Sequence, residues 1–432
     1  MKSFLRSIIE KIIIFESKLV LAKYKPRIVA VTGSVGKTST KDAIYTTLRQ
    51  HFQTRKSEKS FNSEIGIPLT ILGCENGWSN PIKWLKNIIE GILLVIFKTK
   101  YPELLVLEVG ADRPGDIRRV SKWLKPDVVV FTAIGKTPVH VEYFKNVEEL
   151  IREKSYLVEA LKPSGTLIYT EDDANVFKVK EKTTAESYSF GFSGSSYFKA
   201  SGEEIMYNEK DRPSGMRFRV DYEGNSIPIV LNGALGKQHI YPVLASAGVA
   251  KVFGINTIEL SESLLKHATP PGRMRIIDGI KHSLLIDDTY NASPIAMHEA
   301  LDTLAQVKPH PEQKKVVVLG DMLELGQYSV EEHKEVGKKC ASVADIIVTI
   351  GVRARKIAEG ALENGFSEKK LYQFEDSDIA GKFLEGIIDP YDVVLLKGSQ
   401  SIRVEKAVLE VMAHPELASG LLVRQEEEWE NR

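Results

Sequence analysis

The most constraining stretch of this chain is residues 27–40, Arg-Ile-Val-Ala-Val-Thr-Gly-Ser-Val-Gly-Lys-Thr-Ser-Thr. An apolar run ends at Gly33, and a helical pattern resumes at Lys37. Strand, glycine loop and helix in that order make a phosphate cradle. The glycines let backbone N–H groups converge on phosphate oxygens, and the helix presents its positive end to them. Val31 stands where the first glycine of such loops often lies. Lys37 adds charge at the β- and γ-phosphates, and the Thr38 hydroxyl is placed to ligate Mg²⁺. Gly33, Ser34, Gly36, Lys37, Thr38 and Ser39 are therefore the expected contacts to a nucleoside triphosphate. The loop alone is silent on what receives the phosphate.

Further apolar runs at 104–109, 127–132 and 165–169 read as strands, with helical patterns at 116–124 and 147–161 between them. Strands alternating with helices imply a mostly parallel sheet covered on both faces. From Tyr188 to Leu231 the pattern becomes short alternating strands with turns, which predicts an antiparallel elaboration of the same domain. After a helical stretch to about Leu265 and the turn-rich Thr269-Pro270-Pro271-Gly272, a second series begins. Its strand candidates are 283–286, 315–320, 345–350 and 392–397. The expected class is α/β: a phosphate-loop domain over 28–269 and a Rossmann-like domain over 270–432, preceded by an amphipathic helix over 1–27.

A chain of 432 residues is too long for one core. Lys+Arg and Asp+Glu both number 58, a balance that argues against a nucleic-acid partner. Cys74 and Cys340 lie far apart, so neither a disulfide framework nor a zinc ribbon is expected, and a reducing cytoplasm fits. Met1–Leu21 carries an apolar pattern interrupted by Glu10, Lys11, Glu16 and Lys18, unlike a signal peptide. It reads as a helix packed on the following domain, with a helix resting on a membrane surface as the alternative. The run Gly91–Phe97 is too short to cross a bilayer. It is expected as a buried helix, with a shared apolar patch with the first helix as the alternative.

Ordered blocks along the chain then resemble the Mur ligase family, and within it the MurF branch. Thr32–Thr40 looks like the family's loop, with Val35 in place of an Asn. Asn62–Leu72 with Ile65-Gly66-Ile67-Pro68-Leu69-Thr70, Leu107-Glu108-Val109-Gly110-Ala111 with Pro114-Gly115-Asp116-Ile117, Thr132–Phe144 containing His140, and Glu153-Lys154 follow in the family's order. Pro271-Gly272-Arg273-Met274, Asp287–Pro294, Gly320–Gly326 and Lys397-Gly398-Ser399 continue the set through the C-terminal half. The resemblance covers about residues 28–412.

Membership would imply an ATP-dependent ligase that makes a carboxylate into an acyl phosphate and joins it to an amine. The MurF branch adds D-Ala-D-Ala to a muramoyl-peptide of the cell wall. The resemblance assigns Lys37, Glu108, His140 and Lys154 to catalysis. Thr38, Glu108, His140 and Lys154, the last as a carbamate, would hold Mg²⁺. Such a carbamate needs a lysine of lowered pKa, desolvated or near other cations. Arg273 would reach the phosphates and Asp288 the ribose, while Asn291, Ser293, Lys397 and Ser399 would face the amine-bearing substrate or the domain seam. The expected partners are a cell-wall precursor or other small molecule and a dipeptide or amino acid, with a monomeric protein in the cytoplasm or at the inner face of the membrane.

Three departures stand against the pattern. About thirty residues precede the loop, where the branch usually carries a uridine-binding domain, so the acceptor stays open. Gln238, His239 and Pro242 replace family residues near the adenine, and Asp112-Arg113 stands where Asn-His is common. The alternatives are a related amide ligase with a lipid-linked or folylpolyglutamate-type acceptor, and a non-catalytic nucleotide-binding protein on the same fold. The cysteine-rich zinc insert of MurT has no counterpart here.

Overall fold

The computed structural model describes residues 2–58, 61–78, 80–136, 141–308, 313–426 and 429, with side chains from residue 7 onward save that of residue 141. A helix over Lys2–Tyr24 comes first. The strands of the first sheet are β1 (Arg27–Thr32), β2 (Thr54–Lys56), β3 (Leu104–Glu108), β4 (Val128–Phe131), β5 (Thr166–Thr170), β6 (Glu186–Gly191), β7 (Phe198–Tyr207), β8 (Pro213–Tyr222) and β9 (Asn225–Asn232). They run in the order β2-β3-β1-β4-β5-β6-β7-β8-β9. Pairing is parallel from β2 to β7 and antiparallel only for β7–β8 and β8–β9. The antiparallel elaboration expected from Tyr188 thus starts one strand later, because β6 still pairs parallel with both its neighbours.

The second sheet comprises β10 (Arg275–Asp278), β11 (Leu284–Asp288), β12 (Lys315–Gly320), β13 (Ile346–Ile350), β14 (Leu371–Phe374) and β15 (Val393–Lys397), in the order β10-β11-β15-β12-β13-β14. All its pairs are parallel except β10–β11. Both sheets are covered on both faces, as their unbroken apolar strands require. Along β1, Val29 and Val31 enter one core while Ile28 and Ala30 enter the other. The first of these cores continues without a break into the second sheet, through Leu284, Ile286, Val317 and Leu395.

The helix over Pro81–Ile96 departs from expectation. Only Asn87 and Gly91 of it are buried, and it lies against the N-terminal helix rather than inside a core. It is capped by the Asn80 side chain, which accepts from the Ile82 and Lys83 amides. Gly91 makes room for Glu16 where the helices cross, since a Cβ there would sit 2.2 Å from its carboxylate oxygen and that side chain would have to shift. This is the shared-patch alternative, and the buried-helix expectation is corrected.

The order of strands fixes where a ligand goes. β1 lies between β3 and β4: the chain passes from β1 to β2 and β3 on one side and then crosses to β4 on the other. The crevice beyond the carboxyl ends of those strands is where such sheets bind ligands.

Candidate active site

The segment after β1 packs onto the end of β4. The Ser34 and Val35 amides donate to the Ala133 carbonyl at 2.8 and 3.0 Å. Gly33 holds φ +141, and a Cβ there would lie 2.0 Å from the Thr132 hydroxyl oxygen, so only glycine fits. Gly36, at φ +82, opens the helix Lys37–Leu48, whose first turn carries no side-chain cap. Its leading N–H groups therefore stay directed at the cleft, as an anion requires.

Two lysines converge on one carbonyl. Lys37 Nζ donates to Gly33 O at 3.0 Å and to Ser34 O at 3.3 Å. Lys154 Nζ, from the helix Val147–Glu159, donates to Gly33 O at 2.9 Å and is 1% exposed. Burial, then the Lys37 charge, pushes the Lys154 ammonium well below the usual lysine range. Burial also lowers Lys37, opposed by Glu108. Lys154 thus sits beneath the loop rather than on a solvated helix face. Its neighbour Glu153 accepts the Gly115 and Arg118 amides at 2.9 Å each, which holds that helix against the loop after β3.

Glu108 closes β3 beside the loop. Its Oε1 accepts from Asn62 Nδ2 at 3.4 Å, and its Oε2 faces Lys41 Nζ at 3.7 Å. That Oε2 is buried and has no hydrogen-bond partner. A carboxylate oxygen with an ion pair but no hydrogen bond, lining the same cavity as Thr38, fits a hard cation, whose ligands are oxygens. Among the described residues no set of three or more His, Cys, Asp or Glu side chains clusters as a metal site. His140 lies outside the described residues.

The opposite wall comes from the second sheet. Asp288, at the end of β11, accepts from Lys397 Nζ at 2.6 Å and from the Met274 amide at 3.2 Å. Lys397 also donates to the Asn291 carbonyl at 2.9 Å. Arg273 lies over the Tyr290 ring, 3.9 Å from its centroid, and its buried Nε has no partner. Ser293 caps the helix Pro294–Gln306 by accepting from the Ala296 amide at 3.4 Å. Ser399 accepts from the Leu323 amide at 3.0 Å, which ties the ends of β12 and β15 together; its side chain does not line the cleft.

The two walls enclose a cavity of about 610 Å³. Ser34, Gly36, Lys37, Thr38, Ser39 and Glu108 line it from one side, and Arg273, Asp288, Asn291, Ser293 and Lys397 from the other. Asn62, Tyr143, Tyr290, Glu299 and Glu324 also line it and were not singled out from sequence. Asn62, Tyr143, Tyr290 and Glu324 fall inside blocks already recognised, so their polarity was a usable signal. Glu299 gave none: it is one carboxylate on a helix, raised to about 7 chiefly by burial. An adjoining, more apolar cavity of about 720 Å³ shares Val35 and Gly36 and is lined by Phe190, Tyr241 and Ile295.

Residues 31–250 match the Mur ligase middle domain and residues 272–400 the Mur ligase glutamate ligase domain. The chain belongs to the Mur ligase family, a family of ATP-dependent ligases. It is 27% identical over 403 residues to the UDP-N-acetylmuramoyl-tripeptide--D-alanyl-D-alanine ligase of Bacillus subtilis, covering 92% of this chain and 79% of that one. The Mycobacterium leprae protein of the same name is 29% identical, with 87% and 71% covered. Among solved structures, the MurF ligase of Thermotoga maritima in complex with ADP superposes with a TM-score of 0.74 at 26% identity, covering 93% of this chain and 82% of that one.

Proposed function

We propose that this protein joins a D-Ala-D-Ala dipeptide to the terminal carboxylate of a muramoyl-peptide precursor of peptidoglycan, with ATP converted to ADP and phosphate. The observation that carries the reading is the convergence of Lys37 and Glu108 from one sheet with Arg273 and Asp288 from the other on a single cavity, with Lys154 bonded to the Gly33 carbonyl beneath its loop. The names and coverage of the relatives support the acceptor and the dipeptide.

In this reading the triphosphate lies along the loop, with its base end towards the apolar cavity of Phe190 and Tyr241. Glu108 and Thr38 would hold Mg²⁺, which neutralises phosphate charge when bound. A carboxylate oxygen of the acceptor attacks the γ-phosphorus, ADP leaves, and an acyl phosphate forms. The dipeptide amine then attacks the acyl carbon, the bond to the phosphate oxygen breaks, and inorganic phosphate departs. The protein's work is mainly positioning and charge neutralisation. Lys37 and Arg273 oppose the growing charge on the transferring group, and Lys154, as a carbamate, would orient the γ-phosphate from below the loop. Asp288 would accept from the ribose hydroxyls while Asn291, Ser293 and Lys397 shape the side that receives the amine, and Ser399 holds the ends of β12 and β15 behind it. Residues 28–269 and 270–432 act as the two bodies that exclude water from the acyl phosphate.

Phosphate release measured with UDP-muramoyl-tripeptide and D-Ala-D-Ala, each omitted in turn, tests the reading. Release only when both are present is expected. Release with a lipid-linked acceptor or a folate in place of the tripeptide would move the protein to another amide ligase, and no release with any acceptor would leave a nucleotide-binding protein. Removing Mg²⁺ with a chelator is expected to abolish turnover. The reading places a monomer in the cytoplasm, consistent with two free, buried cysteines, with peripheral access to the membrane's inner face.

A further inference from the structure

On the helix Pro81–Ile96, Ile82, Leu85, Ile89, Ile92 and Ile96 recur at intervals of three and four residues, and all are exposed, Ile82 at 75% and Ile96 at 65%. Such spacing places them on one face. On the N-terminal helix, Ile8, Phe15 and Leu19 are exposed in the same way. The two stripes meet in an open groove lined by Ile12, Phe15, Leu19, Ile92, Val95 and Ile96. The helices are locked together at their C-terminal ends: Lys23 Nζ donates to Leu94 O and Val95 O at 2.9 and 3.0 Å, and the Tyr24 hydroxyl donates to Phe97 O at 3.0 Å. The apolar surface is therefore continuous and rigidly presented. Contiguous apolar surface of this kind marks a site of contact.

Charge decides the occupant. By helical spacing, exposed Lys11 and Lys18 flank the first stripe, and exposed Lys83 and Lys86 flank the second on the side away from the N-terminal helix. Lys98 and Lys100 follow its end. The acidic groups nearby are Glu10, Glu16, which is buried between the helices, and Glu90, which pairs with Lys86 at 3.7 Å. A second copy of this face would set lysines against lysines, since a two-fold contact is self-complementary. An anionic lipid surface offers hydrocarbon to the stripes and phosphate to the lysines at once. No described helix is long and apolar enough to cross a bilayer. We propose that the helices Lys2–Tyr24 and Pro81–Ile96 form a paired platform that lays the protein on an anionic membrane surface.

Flotation of the purified full chain with phosphatidylcholine vesicles, with and without phosphatidylglycerol, tests this independently of any ligase activity. Binding to the anionic vesicles is expected, weakened by high salt. Replacing Lys11, Lys18, Lys83 and Lys86 by Gln is expected to lower the partition coefficient about fivefold per lysine. The double variant Leu85→Asp/Ile92→Asp is expected to abolish flotation with an unchanged thermal midpoint, because both side chains face solvent. No flotation of the parent protein would overturn the proposal. So would equal binding of parent and aspartate variant, or a concentration-dependent dimer lost in that variant without vesicle binding, which would make a second copy the occupant.

Discussion

Burying Lys154 beneath the phosphate loop opposes folding wherever its ammonium stays charged. Its folded pKa is depressed by burial and then by Lys37. The stability linked to it is therefore fullest above the unfolded value of about 10.4 and is lost as pH falls through the folded one. At neutral pH the chain carries the penalty. Lys154→Met is accordingly expected to raise the thermal midpoint at pH 7, and by less at pH 10. The Gly33 carbonyl keeps a partner in Lys37. Turnover in the same variant is expected to fall at least about a thousandfold, a stability gain set against lost function. A merely structural lysine would lower both, and that result would remove Lys154 from the site. Acetate is expected to restore part of the activity of Lys154→Ala by returning a carboxylate to the vacated space. Glu108→Gln tests the other side of the loop. It keeps the bond from Asn62 and removes the charge that faces the phosphates, so phosphate release is expected to drop at least about a hundredfold while folding is retained.

The loop and the crossing helices show how single positions govern whole elements. Gly33→Ala would drive a methyl group into Thr132, the residue after β4, so β1 and β4 must part or the loop must leave its place. Loss of nucleotide binding beyond tenfold is expected, read by titration calorimetry, with a lowered thermal midpoint. Glu16 poses the reverse case. Its Oε2 is buried without a hydrogen-bond partner, and burial raises it to about 7. A raised acid contributes its stability below the unfolded value and loses it as pH rises through the folded one. Glu16→Gln is thus expected to stabilise the protein at pH 8 by about 1–2 kcal/mol and to change little at pH 5. An equal effect at both pH values would sink the assignment.

Elements of this kind also mark what could be read in advance. β1, β3, β4, β12 and β15 are visible as apolar runs because parallel strands buried on both faces need no polar alternation. β10 and β14 escape notice: each is a four-residue edge strand with half-exposed side chains, where the apolar pattern has no reason to form. The helix Pro81–Ile96 looks buried because its second half is an unbroken apolar run, and composition cannot say that one of its faces has no protein partner. For the site, Lys37 announces itself by its loop, whereas the burial of Lys154 depends on how the helix Val147–Glu159 packs and is invisible in Ile-Arg-Glu-Lys-Ser. Glu299 reaches the cleft only because two sheets meet.

At the scale of the molecule, the question is how nucleotide on one sheet is sensed by the other, and Arg273 is placed to do it. It follows Gly272, whose amide donates to Asp287 at 3.1 Å, and precedes Met274, a non-glycine residue held at φ +48. Asp287, raised to about 6 by burial, also accepts from the Thr289 amide and hydroxyl at 3.1 and 2.6 Å. The turn that carries the guanidinium is thereby fixed to the second sheet, while its charge is felt by Lys37 in the first. Phosphate bound between them would replace a repulsion by two attractions and join the bodies. A ligand at a hundred times its dissociation constant stabilises the folded state by about 2.7 kcal/mol, which should shift the midpoint of a chain this size by several degrees. Arg273→Ala removes the link but leaves the loop, so the nucleotide-induced shift is expected to fall by more than half, with the midpoint of the free protein nearly unchanged. Calorimetric scans of both proteins with and without a non-hydrolysable ATP analogue and Mg²⁺ measure it. An undiminished shift in the variant would mean that the loop alone grips the nucleotide, and that the second sheet closes, if it closes, for the sake of the acceptor and the amine.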